Sequence, residues 1–269
     1  MGVLNVTPDS FSDGGRYIDV HSAAARALQM IGEGADIIDI GGESTRPGSE
    51  RVSGDEEKKR ILPVIEKILT QKPDAVLSVD TCKADVASEA LDNGALIIND
   101  VSALGFDERM ADTVHTYGAS VVLMHMKGEP KTMQDNPRYD DVTREVRNYL
   151  HDRITFAGKH GIKQILIDPG IGFGKRLEDN LELLRSLREL TRLDCPVVIG
   201  ASRKSFIGKI LNKPVDQRLE GSLAAAVIGI FNGASIVRVH DVNATKEAAA
   251  ITHAVMLGSG YTQEKVWIS

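Results

Sequence analysis

Residues 34–38 read GADII, and the same pattern returns as GALII, GASVV and GASIV at residues 94–98, 118–122 and 233–237. In each segment a glycine, which tolerates the left-handed backbone conformation that often ends a helix, precedes a short apolar run. Because the run does not alternate with polar residues, it predicts a strand that is buried on both faces. Each segment is therefore interpreted as the joint between a helix and a parallel strand.

Other apolar runs extend this pattern to eight candidate strands, near residues 3–6, 37–40, 76–79, 96–98, 121–124, 165–167, 197–199 and 236–239. Helix-type spacing of apolar residues separates them, at residues 22–33, 54–69, 83–93, 108–117, 142–160, 177–190, 219–232 and 244–256. Ser53 and Glu56 have the spacing of a capping box at the start of the second helix.

Strict alternation of strands and helices with short connections implies a parallel sheet, and eight units favour its closure into a (β/α)8 TIM barrel. The 269 residues of the chain are close to the roughly 250 residues of a typical barrel. No GxGxxG follows the first strand, so a dinucleotide-binding fold loses its main support. The sequence predicts an α/β protein with a single domain, a barrel over residues 1–269.

The charge balance and the cysteines limit the classes of function. A net charge of −6 argues against general affinity for nucleic acid or for an anionic membrane, so any anion site must be a local cluster of cations. Cys82 and Cys195 belong to no CxxC pair and are interpreted as free thiols of a reducing compartment. No apolar run approaches the roughly 18 residues of a membrane span. A cytoplasmic location is expected.

Polar residues end nearly every candidate strand. They are Asn5, Asp39, Asp80, Asn99 with Asp100, His125, Asp168, Ser202 to Lys204, and Arg238 with His240. In such a barrel the loops after the strands form the active face. One polar residue at a strand end could simply brace a loop, but so many at one rim favour a ligand site.

Three of these residues suit a flat heterocycle. Asp80, Asn99 and Asp168 would offer carboxylate and amide groups to adjacent ring N–H groups, such as the guanidine-like edge of a pterin. The alternative is that the carboxylates cap helices, for which Asp168, directly before Pro169, is poorly placed.

Cations cluster after the last two strands. Arg203, Lys204 and Arg238, with His240, stand where barrels commonly bind phosphate. A solvated charge run is the alternative for Arg203 and Lys204, but each group directly follows a buried-looking strand. His125 and His240 lack metal-ligand spacing, so a transition-metal site is not expected. Mg²⁺ bound mainly through a phosphorylated substrate would leave little trace in the sequence.

Two rim loops are long enough to close over a ligand. Residues 5–15 read NVTPDSFSDGG and contain Phe11, and residues 41–49 read GGESTRPGS and contain Arg46. A plain surface loop is the alternative for each.

The ordered motifs NVTPDSFSDGG, DIIDIGGESTRPGS, SVDT, IINDVSA, LMHM, IDPGIGFGK, ASRKSF and RVHDV resemble the dihydropteroate synthase family. They cover nearly the whole chain. The resemblance implies a transferase that condenses 4-aminobenzoate with (7,8-dihydropterin-6-yl)methyl diphosphate, giving 7,8-dihydropteroate and diphosphate. It also implies Mg²⁺ as cofactor and sensitivity to sulfonamides.

The resemblance also implies roles for individual residues. The pterin ring would be held by Asp80, Asn99, Asp168 and Lys204 in a slot lined by Met124, Phe173 and Gly200, with Val239 nearby. Asn5 would contact Mg²⁺ and diphosphate, and the phosphates would bind Thr45, Arg46, Arg238 and His240. The 4-aminobenzoate would lie between Phe11, Pro47 and Lys204, its carboxylate near Ser205 at a helix start.

In this family diphosphate departure runs ahead of arylamine attack, so leaving-group charge and a pterin cation must both be stabilised. Arg46, Arg238 and His240 would serve the first need, and Asp80 and Asp168 the second. Asp9 would arrive with the closing first loop and help to exclude water.

A homodimer is expected, because members of the family usually pair through barrel helices away from the active loops. The segment 219–232, rich in alanine and glycine, could pack there, although packing within the barrel explains it equally well. The rival functions are a pterin-binding methyltransferase domain and a non-catalytic pterin-binding paralogue. Family members usually carry more residues before the first strand than the Met1 start allows here, a difference that concerns the barrel floor.

Overall fold

The computed structural model describes residues 1–7, 19–43, 52–128, 132–260 and 262. Its strands are β1 (Gly2–Asn5), β2 (Ile38–Gly41), β3 (Leu77–Asp80), β4 (Ile97–Asp100), β5 (Ser120–Met124), β6 (Ile165–Asp168), β7 (Val198–Ile199) and β8 (Ile236–Val237). All eight predicted strands are confirmed, each within about two residues of its expected bounds.

The strands form a closed parallel ring. β1 to β6 pair in chain order, and β7 pairs with β8. A bridge between Ile167 and Val197 joins the two sheets on one side, and a bridge between Gly2 and Val239 joins them on the other. At this second seam Val239 donates its N–H to the carbonyl of Met1 at 2.9 Å. The predicted (β/α)8 TIM barrel of one domain is confirmed, and Met1 takes part in closing it.

The described helices are α1 (Val20–Gly32), α2 (Gly54–Gln71), α3 (Ala84–Asp92), α4 (Met110–Tyr117), α5 (Val142–Lys159), α6 (Leu177–Arg185), α7 (Arg188–Thr191), α8 (Ser205–Leu211), α9 (Leu219–Phe231) and α10 (Val242–Leu257). The cap of α2 is as predicted, since the Ser53 hydroxyl accepts from the Glu56 N–H. None of these helices is both long and apolar enough to cross a membrane.

One helical expectation was wrong. The single helix expected at residues 177–190 is α6 and α7, separated at Ser186, whose hydroxyl turns to the Glu182 carboxylate at 2.6 Å. The spacing of apolar residues did not reveal the short helix α8, although the resemblance implied a helix start at Ser205. Its seven residues, SFIGKIL, are too few to show helical periodicity.

Alternation along the strands sorts side chains into two layers. Outward-facing residues such as Ile38, Val79 and Ile98 are fully buried in a core shared with the helices. Inward-facing residues at the floor are also apolar, with Ile97, Val122 and Val198 packed together. Nearer the carboxyl ends of the strands the inward positions become polar. The barrel therefore has an apolar floor and a polar mouth.

Candidate active site

Asp39, on β2, is the centre of the hydrogen bonds inside the mouth. Its carboxylate is fully buried and accepts from the Ser78 hydroxyl at 2.6 Å and the Asn99 amide at 3.0 Å. It also accepts from Nε of Arg238 at 2.6 Å. These partners come from three other positions on the ring, because inward-facing residues of different strands meet at the barrel axis. Asp39 thereby fixes the orientation of two residues expected to bind ligand.

Arg238 lies between two carboxylates. While Nε is bound to Asp39, Nη2 donates to Oδ2 of Asp80 at 2.9 Å. Burial opposes the charged form, but the two carboxylates hold the pKa of the Arg238 guanidinium above its usual range. Burial raises the pKa of Asp80 to about 7, against the attraction of Arg238. Carboxylate charge is therefore unfavourable inside the mouth, and it is stabilised there by one cation, the Arg238 guanidinium.

The second carboxylate oxygen of Asp80 stands out. Oδ1 is buried and has no hydrogen-bond partner in the described part of the chain. Buried polar atoms in folded proteins are nearly always paired, and an unpaired one calls for an explanation. Asp80 is the last residue of β3 and faces inward, so a ligand N–H group in the mouth would be able to donate to this oxygen.

Asp168 and Lys204 form the opposite wall with Phe173. Oδ1 of Asp168 accepts from the N–H of Gly170 at 2.6 Å, so this carboxylate braces its own loop and does not cap a helix. The Lys204 ammonium donates to the carbonyl of Ile171 and lies 4.1 Å from the centre of the Phe173 ring. Burial lowers the pKa of Lys204 to about 8, with Asp168 acting in the opposite direction. Burial also raises the pKa of Asp168.

The loop that carries Phe173 requires glycine. Gly170 has a φ of +68°, and a Cβ built on it would lie 1.9 Å from the carbonyl oxygen of His125. At Gly174, with a φ of +61°, a Cβ would lie 2.2 Å from the carbonyl oxygen of Lys127. The loop backbone therefore lies directly against the segment after β5, a contact that other residue types would prevent.

The expected phosphate side is only partly as predicted. The Ser202 hydroxyl lies 3.1 Å from Nδ1 of His240, so these two residues are brought together beside Arg238. Arg203 is different. Its guanidinium is bound to the Asp241 carboxylate by contacts of 3.0 and 2.5 Å, which neutralises its charge locally. Asp241 thus uses two of the five N–H donors of Arg203, and a role of Arg203 in an anion site stays a prediction.

Most of the remaining predicted residues lie at the mouth. Asn5 is half-buried and pairs in register with Gly41, which pairs in turn with Asp80. Met124 ends β5 and is buried, and Ser205 is the exposed first residue of α8. Gly200 leaves room beside Arg238, since a Cβ there would lie 3.9 Å from Arg238. Val239 packs instead in the core outside the strands, so its side chain does not line the slot.

Five predicted residues, Asp9, Phe11, Thr45, Arg46 and Pro47, lie outside the described residues. The sequence places Asp39 among the polar residues of the rim without a role of its own, and it does not single out Ser78 or Lys175. Alternation in β2 and β3 could have identified the first two as inward-facing, since each stands between outward-facing apolar residues.

The donor set at the mouth fits Mg²⁺ bound mainly through a ligand. Among the described residues, no group of three or more His, Cys, Asp or Glu side chains could hold a metal ion. Asn5 offers one amide oxygen at the end of β1. A hard cation that keeps its waters and binds substrate phosphates needs only one or two protein ligands.

The ion pair in the mouth leads to a prediction on stability. We expect Arg238→Met to lower the free energy of unfolding by about 3–5 kcal/mol at pH 8, because it leaves buried carboxylates without their cation. The loss should be smaller at pH 5. The pKa of Asp80 is raised in the folded state, so folding takes up a proton between pH 4 and 7 and stability falls as the pH rises through this window. Removing Arg238 raises that pKa further.

Urea unfolding at pH 5 and pH 8 measures this difference. Arg203→Met is the matched control, since it breaks an ion pair that is partly open to solvent and should cost about 0–1 kcal/mol. An equal loss for Arg238→Met at both pH values would contradict the assignment.

Comparison with known proteins places the chain in a family. The pterin binding enzyme family matches residues 1–240. The Escherichia coli K12 dihydropteroate synthase is 48% identical over 258 residues, which cover 95% of this chain and 91% of that protein. The structure of the Yersinia pestis dihydropteroate synthase with a sulfonamide drug has 46% identity and a TM-score of 0.89, and covers 95% of this chain and 93% of that chain.

The structure of the Xanthomonas albilineans dihydropteroate synthase with 4-aminobenzoic acid is equally similar, with 46% identity and a TM-score of 0.89. It covers 95% of this chain and 92% of that chain. This chain belongs to the dihydropteroate synthase family of pterin-binding enzymes.

Proposed function

We propose that this protein joins 4-aminobenzoate to (7,8-dihydropterin-6-yl)methyl diphosphate, forming 7,8-dihydropteroate and diphosphate. The proposal rests on the Asp80 oxygen that has no hydrogen-bond partner among the described residues, and that lies beside the other carboxylate, amide and ammonium groups of one mouth. The family to which the chain belongs catalyses this transfer. The substrates are small molecules, and no nucleic acid is involved.

Asp80, Asn99 and Asp168 bind the pterin ring, with Lys204 above Phe173. Oδ1 of Asp80 accepts a ring N–H group. Oδ1 of Asp168 is used by Gly170, so its other oxygen is the one that serves the ligand. Met124, at the end of β5, and Gly200, which leaves space beside Arg238, shape the slot.

The diphosphate binds on the other side of Arg238. Asp39 and Asp80 use two of its five N–H donors, and they hold the guanidinium in place while the other donors serve an anion. His240, positioned by Ser202, assists, and Thr45 and Arg46 come from the second rim loop. Asn5 would hold Mg²⁺ together with the diphosphate, and the ion would supply positive charge that offsets the charge of the leaving group.

In the reaction the bond from the pterin methylene carbon to the diphosphate oxygen breaks, and that carbon bonds to the arylamine nitrogen, which loses a proton. Positive charge grows on the pterin while negative charge grows on diphosphate. Asp80 and Asp168 stabilise the first, and Arg238, His240 and Arg46 the second. Phe11, Pro47 and Lys204 hold the arylamine, with its carboxylate near Ser205, while Asp9 helps to exclude water.

Release of diphosphate on mixing the protein with both substrates tests the proposal. We expect Asp168→Asn to weaken binding of 6-hydroxymethyl-7,8-dihydropterin by roughly 10- to 100-fold, because the ligand N–H then meets a donor. The loop should survive, since the amide oxygen of asparagine can still accept from Gly170.

Calorimetry on the folded variant measures the affinity, and an unchanged value would refute the role of Asp168. Two other results bear on the function itself. A methyltransferase domain would bind pterin yet release no diphosphate with 4-aminobenzoate, and a non-catalytic paralogue would turn over neither substrate.

We expect sulfamethoxazole to compete with 4-aminobenzoate and not with the pterin substrate. A sulfonamide shares the aniline ring of 4-aminobenzoate, and its sulfonyl oxygens can replace the carboxylate near Ser205. A relative with 46% identity has been solved in complex with a sulfonamide drug. Discrimination would need a repulsive element, and neither rim-loop motif carries an insertion. Steady-state rates at varied 4-aminobenzoate measure this, and inhibition that extra 4-aminobenzoate does not relieve would contradict it.

A homodimer through α9 and α10 completes the proposal. Four large apolar side chains are about half exposed or more on this face, namely Ile228, Phe231, Ile251 and Val255. An exposed apolar patch of this kind marks an interaction surface, and twofold symmetry lets one patch cover its copy.

The location is the cytoplasm, as the small-molecule substrates and two free cysteines suggest.

Light scattering after gel filtration tests the dimer. We expect the wild-type protein to have twice the mass of a single chain. The double variant Ile251→Asp and Val255→Asp should have the mass of the monomer. Leu96→Asp is the control, because Leu96 is 54% exposed directly before β4, away from α9 and α10. A monomeric wild-type protein would exclude the dimer.

A further inference from the structure

Lys175, at the end of the loop after β6, is a buried cation to which the proposed reaction gives no role. Its side chain is 3% exposed. The ammonium lies 3.0 Å from Nδ1 of His125, 3.3 Å from the carbonyl oxygen of His125 and 2.9 Å from the carbonyl oxygen of Phe173. An ammonium has three N–H donors, so these acceptors can satisfy all of them.

The partner of this ammonium is an uncharged imidazole. Burial, reinforced by the charge of Lys175, lowers the pKa of His125 to about 2, so the ring stays neutral and its Nδ1 can accept. Burial lowers the pKa of Lys175 itself to about 7, while Asp168 and Asp179 favour its charge and Lys204 and Lys127 oppose it. In the described part of the chain Lys175 forms no ion pair, and Asp179, one of the two carboxylates that favour its charge, pairs instead with Arg176 at 2.9 Å.

Burying an ammonium without an ion pair is unfavourable, so Lys175 is expected to have a role that offsets this effect. The positions of its acceptors indicate that role. His125 directly follows Met124, which ends β5, and Phe173 carries the ring beneath Lys204. One side chain thus joins the two segments that form adjacent walls of the pterin slot.

Side chains hold the loop at every step around Phe173. The carbonyls of Ile171, Gly172, Phe173 and Gly174 accept in turn from Lys204, Gln134, Lys175 and Tyr139. The donors to Gly172 and Gly174 come from the segment after β5 and act on glycines. Lys175 is the donor that holds the carbonyl of the aromatic residue itself. Its loss would leave the Phe173 carbonyl without this donor, while the N–H of Phe173 stays bound to the carbonyl of Gly170 at 3.0 Å and the glycines on either side stay anchored.

We propose that Lys175 is a positioning residue that fixes Phe173, and with it the ammonium of Lys204, against the pterin ring. It acts through the loop and does not touch the substrates. The inference rests on the proposed function, because it assumes that pterin occupies this slot.

Lys175→Met tests the inference, since methionine keeps most of the length and lacks the donors. We expect its affinity for 6-hydroxymethyl-7,8-dihydropterin to fall about tenfold, as for loss of one buried hydrogen-bonding group. Its affinity for inorganic diphosphate with Mg²⁺ should stay within about twofold of the wild type, because Arg238 and His240 lie outside the loop. Tyr139→Phe is the matched control, as it removes one donor to Gly174 of the same loop and should leave pterin affinity nearly unchanged.

A double-mutant cycle with Phe173→Ala separates positioning from general loosening. If Lys175 acts through Phe173, the losses in pterin affinity are not additive, and Lys175→Met has little effect once the ring is absent. Additive losses, or equal losses for pterin and diphosphate, overturn the inference. An effect of Tyr139→Phe as large as that of Lys175→Met overturns it as well.

His125→Ala replaces the lysine variant if that chain does not fold. It removes the Nδ1 acceptor and keeps both carbonyl acceptors, so we expect a smaller selective loss for pterin, and no selective loss would overturn the inference. Failure of the proposed function looks different. In that case the wild-type protein itself binds no pterin, whereas a wild type that binds pterin and a Lys175→Met variant that binds it equally well refute Lys175 alone.

Discussion

Two carboxylates, Asp39 and Asp80, are held inside a closed ring of strands by the guanidinium of Arg238. Charges in such a place are tolerated only with a partner and further hydrogen bonds, which Ser78 and Asn99 provide for Asp39. Because this arrangement joins β2, β3, β4 and the end of β8, it ties together strands that are distant in the chain. The ion pairs of the polar mouth therefore also help to hold the barrel strands together.

The same arrangement divides the mouth by charge. Carboxylates lie where the reacting pterin becomes positive, and Arg238 lies between them and the leaving group. Such groups are already oriented before the reaction, so little reorganisation is needed as charge develops. Oδ1 of Asp80, which has no hydrogen-bond partner among the described residues, and the buried ammonium of Lys175 are both unfavourable for folding. Both features indicate a site shaped for a ligand, at which local stability is lower than in an interior whose polar groups are all paired.

Much of the fold was predictable, because each buried strand is a short apolar run that follows a helix-ending glycine. The rim residues were predictable from their place after those runs. Pairings were not. Asp39 meets Arg238 across 199 positions of the chain, and nothing local marks that contact. Arg203 meets Asp241 across 38 positions, and nothing local marks that ion pair either. Nothing in the sequence marks Lys175 as buried, since its burial depends on how the loop folds back on His125.

Closure of the ring through Met1 and Val239 has a consequence for how the protein is made. Chains are synthesised from the amino terminus, and Asp39 and Asp80 leave the ribosome long before Arg238. A nascent chain thus contains the acidic half of the mouth without its cation, and burying that half would be unfavourable. The paired arrangement of Asp39 and Asp80 therefore requires the last strand to be in place. The seam between Met1 and Val239 and the charge balance of the mouth are thus completed by the same strand, the last to be synthesised.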